Sequence, residues 1–201
     1  MKNALKDLLL VFLVFIALVF IFYLFCVTRR NTYLFIVLAL IILPNILAFI
    51  YGAPFVPTPM AAAKRMVEAA GLKPGDIVYD LGCGDGRVVY LAAKEYGVKG
   101  TGFELSPIVY LLARLRHFLW RSEARIKFGS FYRQDLSDAD VIFCYLTEDI
   151  LKTLEHKLKA EMKKGARVVS FTYRFASWKE KQKIAFSEGW CQSAIWIYEK
   201  D

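Results

Sequence analysis

Residues 8–27 carry no charge, and at about 1.5 Å per residue a helix of that length reaches across a hydrocarbon layer of about 30 Å. The pattern predicts a transmembrane helix. A polar break at 28–32, with Arg29 and Arg30, is followed by an almost wholly apolar run at 33–50. That run predicts a second span, which Pro44 and Asn45 leave open to a kinked or re-entrant course. A cleaved signal peptide fits less well, because the first run exceeds the usual ~7–15 apolar residues and no small-x-small site follows it. The prolines at 54, 57 and 59 then forbid a continuous helix and set a domain boundary. The expected organisation is a hydrophobic membrane anchor at 1–52, forming a transmembrane helical hairpin, and one folded domain at 53–201.

Beyond the prolines the period changes. Thr58-Pro59 reads as a cap and first-turn proline for a helix over 60–70. Short apolar runs at 77–81, 99–103, 125–128, 141–145 and 167–172 suit buried parallel strands, and helical patterns at 88–95, 107–120 and 147–163 fall between them. Such alternation predicts an α/β fold with a Rossmann-like, doubly wound, mostly parallel sheet. The last runs, 183–186 and 192–198, flank Glu188-Gly189-Trp190 and predict a C-terminal antiparallel hairpin.

Composition sharpens this picture in two places. The chain is 57% hydrophobic, yet residues 1–50 contain only four basic groups and one acid, leaving 23 basic and 18 acidic groups for the rest. A domain with that positive excess suits an anionic surface, nucleic acid or an acidic partner, although a solvated basic face is the commoner meaning of a run such as Arg114, Arg116, His117, Arg121, Arg125 and Lys127. The four cysteines lack a CxxC spacing and the two histidines lie far apart, so neither a structural zinc nor any other metal centre is expected.

The chemistry concentrates at the first strand-to-helix turn, Asp80-Leu81-Gly82-Cys83-Gly84-Asp85-Gly86-Arg87. Gly82, Gly84 and Gly86 allow a tight turn and close approach of a ligand. Arg87 stands where a dinucleotide fingerprint needs its third glycine, and Asp80 would repel a pyrophosphate while favouring a cationic ligand. Glu104, at the tip of the second strand, is placed to accept both hydroxyls of a ribose.

These residues, with Gly102-Phe103-Glu104, resemble the seven-strand, class I methyltransferases, over roughly Pro54 to the C-terminus. More narrowly, Pro54-Phe-Val-Pro-Thr-Pro59, Asp135-Leu-Ser-Asp-Ala-Asp140 and Gly165-Ala-Arg-Val-Val-Ser170 ahead of Trp178 resemble the FAM173-type, membrane-associated protein lysine methyltransferases. The resemblance implies S-adenosyl-L-methionine as cofactor and a lysine of a membrane protein as acceptor. Asp80, Gly82, Cys83, Gly84, Asp85 and Gly86 would then surround the methionine end, Glu104 the ribose, and Ser130 and Phe131 the adenine. Where amino methyltransferases often carry an Asn/Asp-Pro-Pro-aromatic turn, this chain has Cys144-Tyr145-Leu146-Thr147. Tyr145 and Thr147 are accordingly the candidates for orienting the incoming amine, with strand packing and helix capping as their ordinary alternatives. Trp178 could wall the substrate channel or belong to the core. The expected protein is integral to the bilayer, with its catalytic domain facing the cytoplasm and no nucleic-acid partner. Methylation of a lipid or other membrane-soluble molecule, RNA methylation, and a noncatalytic binding or scaffold role are the competing readings.

Overall fold

The five apolar runs of the domain become adjacent strands because each is too short and too apolar to stand with a face in water. In this computed structural model the described residues are 55–189 and 191–201, with Ile16, Ala17, 19–24, Tyr33, 36–40, Ile42, Leu43 and Ile46 nearer the start. Strands β1 (Ile77–Leu81), β2 (Lys99–Glu104), β3 (Arg125–Phe128), β4 (Val141–Cys144) and β5 (Arg167–Phe171) pair in parallel, and β7 (Cys191–Glu199) runs antiparallel to β5 and to β6 (Gln182–Glu188). The sheet order is β3-β2-β1-β4-β5-β7-β6. Chain order reverses between β1 and β4, and this switch point opens a crevice at the carboxyl ends of the strands.

Helices α1 (Met60–Ala69) and α2 (Arg87–Tyr96) pack through Ala62, Ala63, Met66, Val67, Val89 and Ala92 on one face of the sheet. On the other face, α4 (Glu148–Glu161) buries Leu151, Leu154 and Leu158 against Leu81, Ile142 and Val168. Helix α3 (Pro107–Leu119) lies beside β2 and β3 at the sheet edge and turns Val109, Ala113 and His117 inward.

Several local expectations shift. The first helix starts one residue after Pro59, whose extended ψ of 141° makes it the flanking residue, and no side chain caps that end. Thr58 instead gives its carbonyl to the Arg87 guanidinium, 2.6 Å away. The closing hairpin is longer than its apolar stretches, because backbone pairing extends from Gln182↔Ile197 to Glu188↔Cys191.

Contacts divide the chain into units Met1–Pro44 and Asn45–Asp201. The expected junction at 52/53 and most of the proposed spans at 8–27 and 33–50 lie outside the described residues; the described positions within those spans are helical. Among the described residues no helix is long and apolar enough to cross a membrane.

Candidate functional site

At the end of β1 the backbone must leave the sheet and enter α2 within five residues. The Gly82 and Cys83 amides both donate to the Phe103 carbonyl, which curls the turn over the tip of β2. Gly84 has a φ of +56°, and a Cβ there would meet the Phe55 ring at 2.6 Å. The proline-rich segment before α1 therefore lies directly on the turn. Gly86 has a φ of +78° and no room for a Cβ, because His117 Nε2 would stand 2.3 Å from it. That nitrogen is 3.0 Å from the Gly86 carbonyl and ties α3 to the turn.

The carboxylates of the turn have different environments. Asp80 is 5% exposed, and burial, with Asp85 and Glu104 nearby, pushes its carboxyl up to about 8. It lines the crevice, where a cationic group would favour its ionised form. Glu104 accepts the Gly84 amide on one oxygen at 3.0 Å and the Ser106 amide on the other at 2.8 Å. Burial still raises its pKa. Each oxygen keeps lone-pair capacity for a ligand hydroxyl, in an orientation the two amides fix. Asp85 is the opposite case. Burial would raise its pKa, but the Arg87 hydrogen bonds and charge, with Arg116, outweigh it and hold the carboxyl below the usual range. Arg87 Nε lies 2.9 and 3.1 Å from its two oxygens, and Arg116 pairs with it from α3. The carboxylate is thus committed to a network of Asp85, Arg87, Arg116 and the Thr58 carbonyl.

A cavity of about 310 Å³ opens above these groups, walled by Phe55, Asp80, Glu104, Phe131, Tyr145 and Ile150 among others. It brings together Asp80, Gly82, Cys83, Gly84, Asp85, Glu104, Ser130, Phe131 and Tyr145 from the sequence reading, but not Gly86 or Thr147. Gly86 faces His117 instead. Thr147 flanks the start of α4, where its carbonyl accepts the Leu151 amide and its side chain makes no capping bond. Cys83 packs against Gly102, where a Cβ would sit 2.7 Å from its sulfur. Burial holds its thiol well above the ordinary value, so it serves as a small wall residue. Ser130 accepts the Tyr132 amide at 3.3 Å, and its hydroxyl proton stays available.

Tyr145 reaches the cavity from the tip of β4 and packs edge-on to Phe171, with ring centroids 5.0 Å apart. Burial raises the pKa of its phenol, whose hydrogen-bond partner is the Thr172 side chain. Thr172 has a φ of +72°, rare for a β-branched residue. Its amide donates to the Ala194 carbonyl, and its hydroxyl accepts from Ser193 at 2.9 Å. Trp178 stacks with Phe175 and Tyr198 in the core rather than on the cavity.

Sequence reading missed the cover of the site. Phe55, Val56, Pro57 and Thr58 all line the cavity, and the same prolines that marked a boundary hold this strap extended. Arg87, read only as a displaced glycine, is the residue that fastens it. A ligand for this cavity must carry positive charge toward Asp80, hydroxyls toward Glu104 and a flat apolar part toward Phe131. S-adenosylmethionine has these features.

Residues 80–182 match the family described as ANTKMT methyltransferase domain. The chain is 36% identical over 155 residues to a protein-lysine N-methyltransferase of Saccharolobus islandicus (strain REY15A), covering 76% of this chain and 96% of the relative. It is 35% identical over 153 residues to the adenine nucleotide translocase lysine N-methyltransferase of Mus musculus, with 72% and 63% covered, and so spans less than two thirds of that relative's length. A solved RNA methyltransferase from Salinibacter ruber, in complex with S-adenosyl-L-homocysteine, superposes with a TM-score of 0.67 at 29% identity, covering 72% of this chain and 93% of that one.

Proposed function

Since the chain belongs to the ANTKMT methyltransferase family and is an S-adenosylmethionine-dependent methyltransferase of the class I, Rossmann-like fold, we propose that it methylates lysine side chains of membrane proteins. The observation that carries the reading is a cavity with Asp80 and Glu104 on one wall and Tyr145 at its acceptor side, in a chain whose relatives at 36% and 35% identity are protein-lysine methyltransferases. Residues 1–52 are proposed as the membrane anchor, with spans at 8–27 and 33–50, and residues 53–201 as the catalytic domain on the cytoplasmic side. The uncharged length of the first run supports this placement.

In the proposed mechanism S-adenosylmethionine, when bound, supplies an electrophilic methyl group on a sulfonium. Asp80 meets the positive charge of the methionine end, the Gly82–Gly84 backbone leaves space for it, and Glu104 takes the ribose hydroxyls. Ser130 and Phe131 take the adenine. Phe55, Val56, Leu146 and Ile150 give the cavity an apolar rim that disfavours an ammonium, so the lysine is admitted in its neutral, nucleophilic form. Tyr145, held by Thr172, orients that amine. Fixed geometry and exclusion of water supply the rate enhancement, and no strong base is required.

Incubation of membranes with labelled methyl donor, followed by mass spectrometry, tests the assignment. Wild-type protein is expected to label lysine in a membrane protein, and Asp80→Ala to abolish the label. Label appearing only in lipid or RNA would overturn the lysine reading. RNA is the specific rival, because the Salinibacter ruber structure is an RNA methyltransferase and the edge of the sheet near β3 is basic.

A further inference from the structure

Helix α3 is amphipathic in the wrong sense for a helix that serves only its own core. Its inward positions are Val109, Ala113 and His117, while Leu111, Leu112, Leu115, Phe118 and Leu119 point outward and are 53% to 79% exposed. Their spacing of three and four residues makes one apolar stripe along the helix. Phe128, at the edge strand β3, is 55% exposed and stacks on Tyr110 of the helix, with ring centroids 5.5 Å apart. The sheet edge beside the helix thus carries an exposed aromatic ring of its own. Burying such side chains is favourable in proportion to their area, and a soluble domain seldom leaves a continuous stripe of them in water.

The charges around the stripe say what covers it. Between Leu105 and Phe128 stand Arg114, Arg116, Arg121, Arg125 and Lys127 against one acid, Glu123. Arg116 is taken by Asp85. Arg114, Arg125 and Lys127 line a groove between α3 and β3, with Phe118 and Ser122. His117 also lines this groove, its ring 6% exposed and packed between the Gly86 carbonyl and the Ala124 backbone. An apolar stripe bordered by cations, with a cationic groove at its edge, matches a surface that is apolar in depth and phosphate-bearing on top. A protein partner would have to reproduce both layers along the whole helix.

We propose that α3 is an interfacial helix, seating the catalytic domain on an anionic phospholipid bilayer with the Leu111–Leu119 stripe in the acyl boundary and Arg114, Arg125 and Lys127 on headgroup phosphates. The N-terminal turn of α3 supplies Val109 to the cavity wall, so a helix lying in the interface brings the cavity mouth to the height of lysines that flank membrane spans. The inference rests on the proposed membrane function only in placing a bilayer within reach of the domain.

Full-length protein reconstituted in vesicles, with an environment-sensitive fluorophore on Leu115→Cys, tests it. Lipids carrying a shallow spin label are expected to quench this probe about twofold or more beyond one on Lys152→Cys of α4, in vesicles containing phosphatidylglycerol. The charge reversal R125E/K127E is expected to remove the difference. Equal quenching at the two positions, or free access of aqueous iodide to the Leu115→Cys probe in the vesicles, would overturn the proposal. So would disulfide-linked dimers through Leu115→Cys without lipid quenching, which would assign the stripe to a second copy of the chain. The quenching needs no methyl acceptor, so loss of the lysine reading and loss of the docking reading give separate results.

Discussion

The carboxyl of Asp80, pushed by burial up to about 8 against an ordinary 3.8, is largely neutral at neutral pH. A cation brought against it must drive its proton off. Cofactor binding near pH ~7, where an α-amino group is still mostly protonated, is therefore expected to release protons. Titration calorimetry in two buffers of different ionisation enthalpy would measure this, and Asp80→Asn should bind more weakly without the release. The same shift fixes a stability window. Because the folded value lies above the unfolded one, the contribution of Asp80 is full below about 3.8 and is lost as pH rises through about 8. Empty wild-type protein should lose more melting temperature than Asp80→Asn over that rise, and bound donor should close the gap. Glu104→Ala would remove the proposed ribose acceptor together with the partner of the Gly84 and Ser106 amides, weakening binding by about 1–3 kcal/mol. Calorimetry of the variant checks it. The turn and Glu104 were legible in the sequence because both depend on local spacing: glycines where the backbone curls, an acid at a strand tip. Which of the residues between β4 and α4 lines the cavity was not legible, since apolar patterning does not distinguish Tyr145 and Leu146, which do, from Thr147, which does not.

At the level of elements, the strands could be read because buried parallel strands are uninterrupted apolar runs, and β1 to β5 appear within a residue or two of their expected limits. What escaped were features set by distant partners. The basic run at 114–127 read as a solvated face, yet Arg116 pairs with Asp85 and His117 is 6% exposed against the Gly86 carbonyl. Periodicity alone places large aliphatic residues inside, whereas α3 turns its small Ala113 toward the sheet and exposes Leu112 and Leu115. The strap at 55–58 and α2 meet through Arg87, whose side chain is 17% exposed and whose partner Asp85 is 7% exposed. Arg87→Met leaves that carboxylate with Arg116 alone and frees the Thr58 carbonyl. Denaturant unfolding should show a loss of about 2–4 kcal/mol, and the strap should become the fastest-exchanging part of the site by hydrogen exchange.

Taken whole, the domain has a crevice at its switch point and a cover that arrives from the N-terminal side of the chain. Phe55 rests on Gly84, and only four residues of chain lie between it and Ile50, where the second proposed span ends. A chain spans at most about 3.5 Å per residue, so with that anchor the cofactor turn lies within roughly 20 Å of the end of the span. The strap is then a ruler as well as a cover. With the proposed anchor it would set the height at which a lysine can be reached, favouring amines in short loops close to the lipid over those borne on tall extramembrane domains. Lengthening the chain between Gly52 and Pro54 with about ten glycine and serine residues adds roughly 15–20 Å of average reach. The pattern of methylated lysines, mapped by mass spectrometry, should move outward from the bilayer while donor affinity, set at the turn, stays where it was.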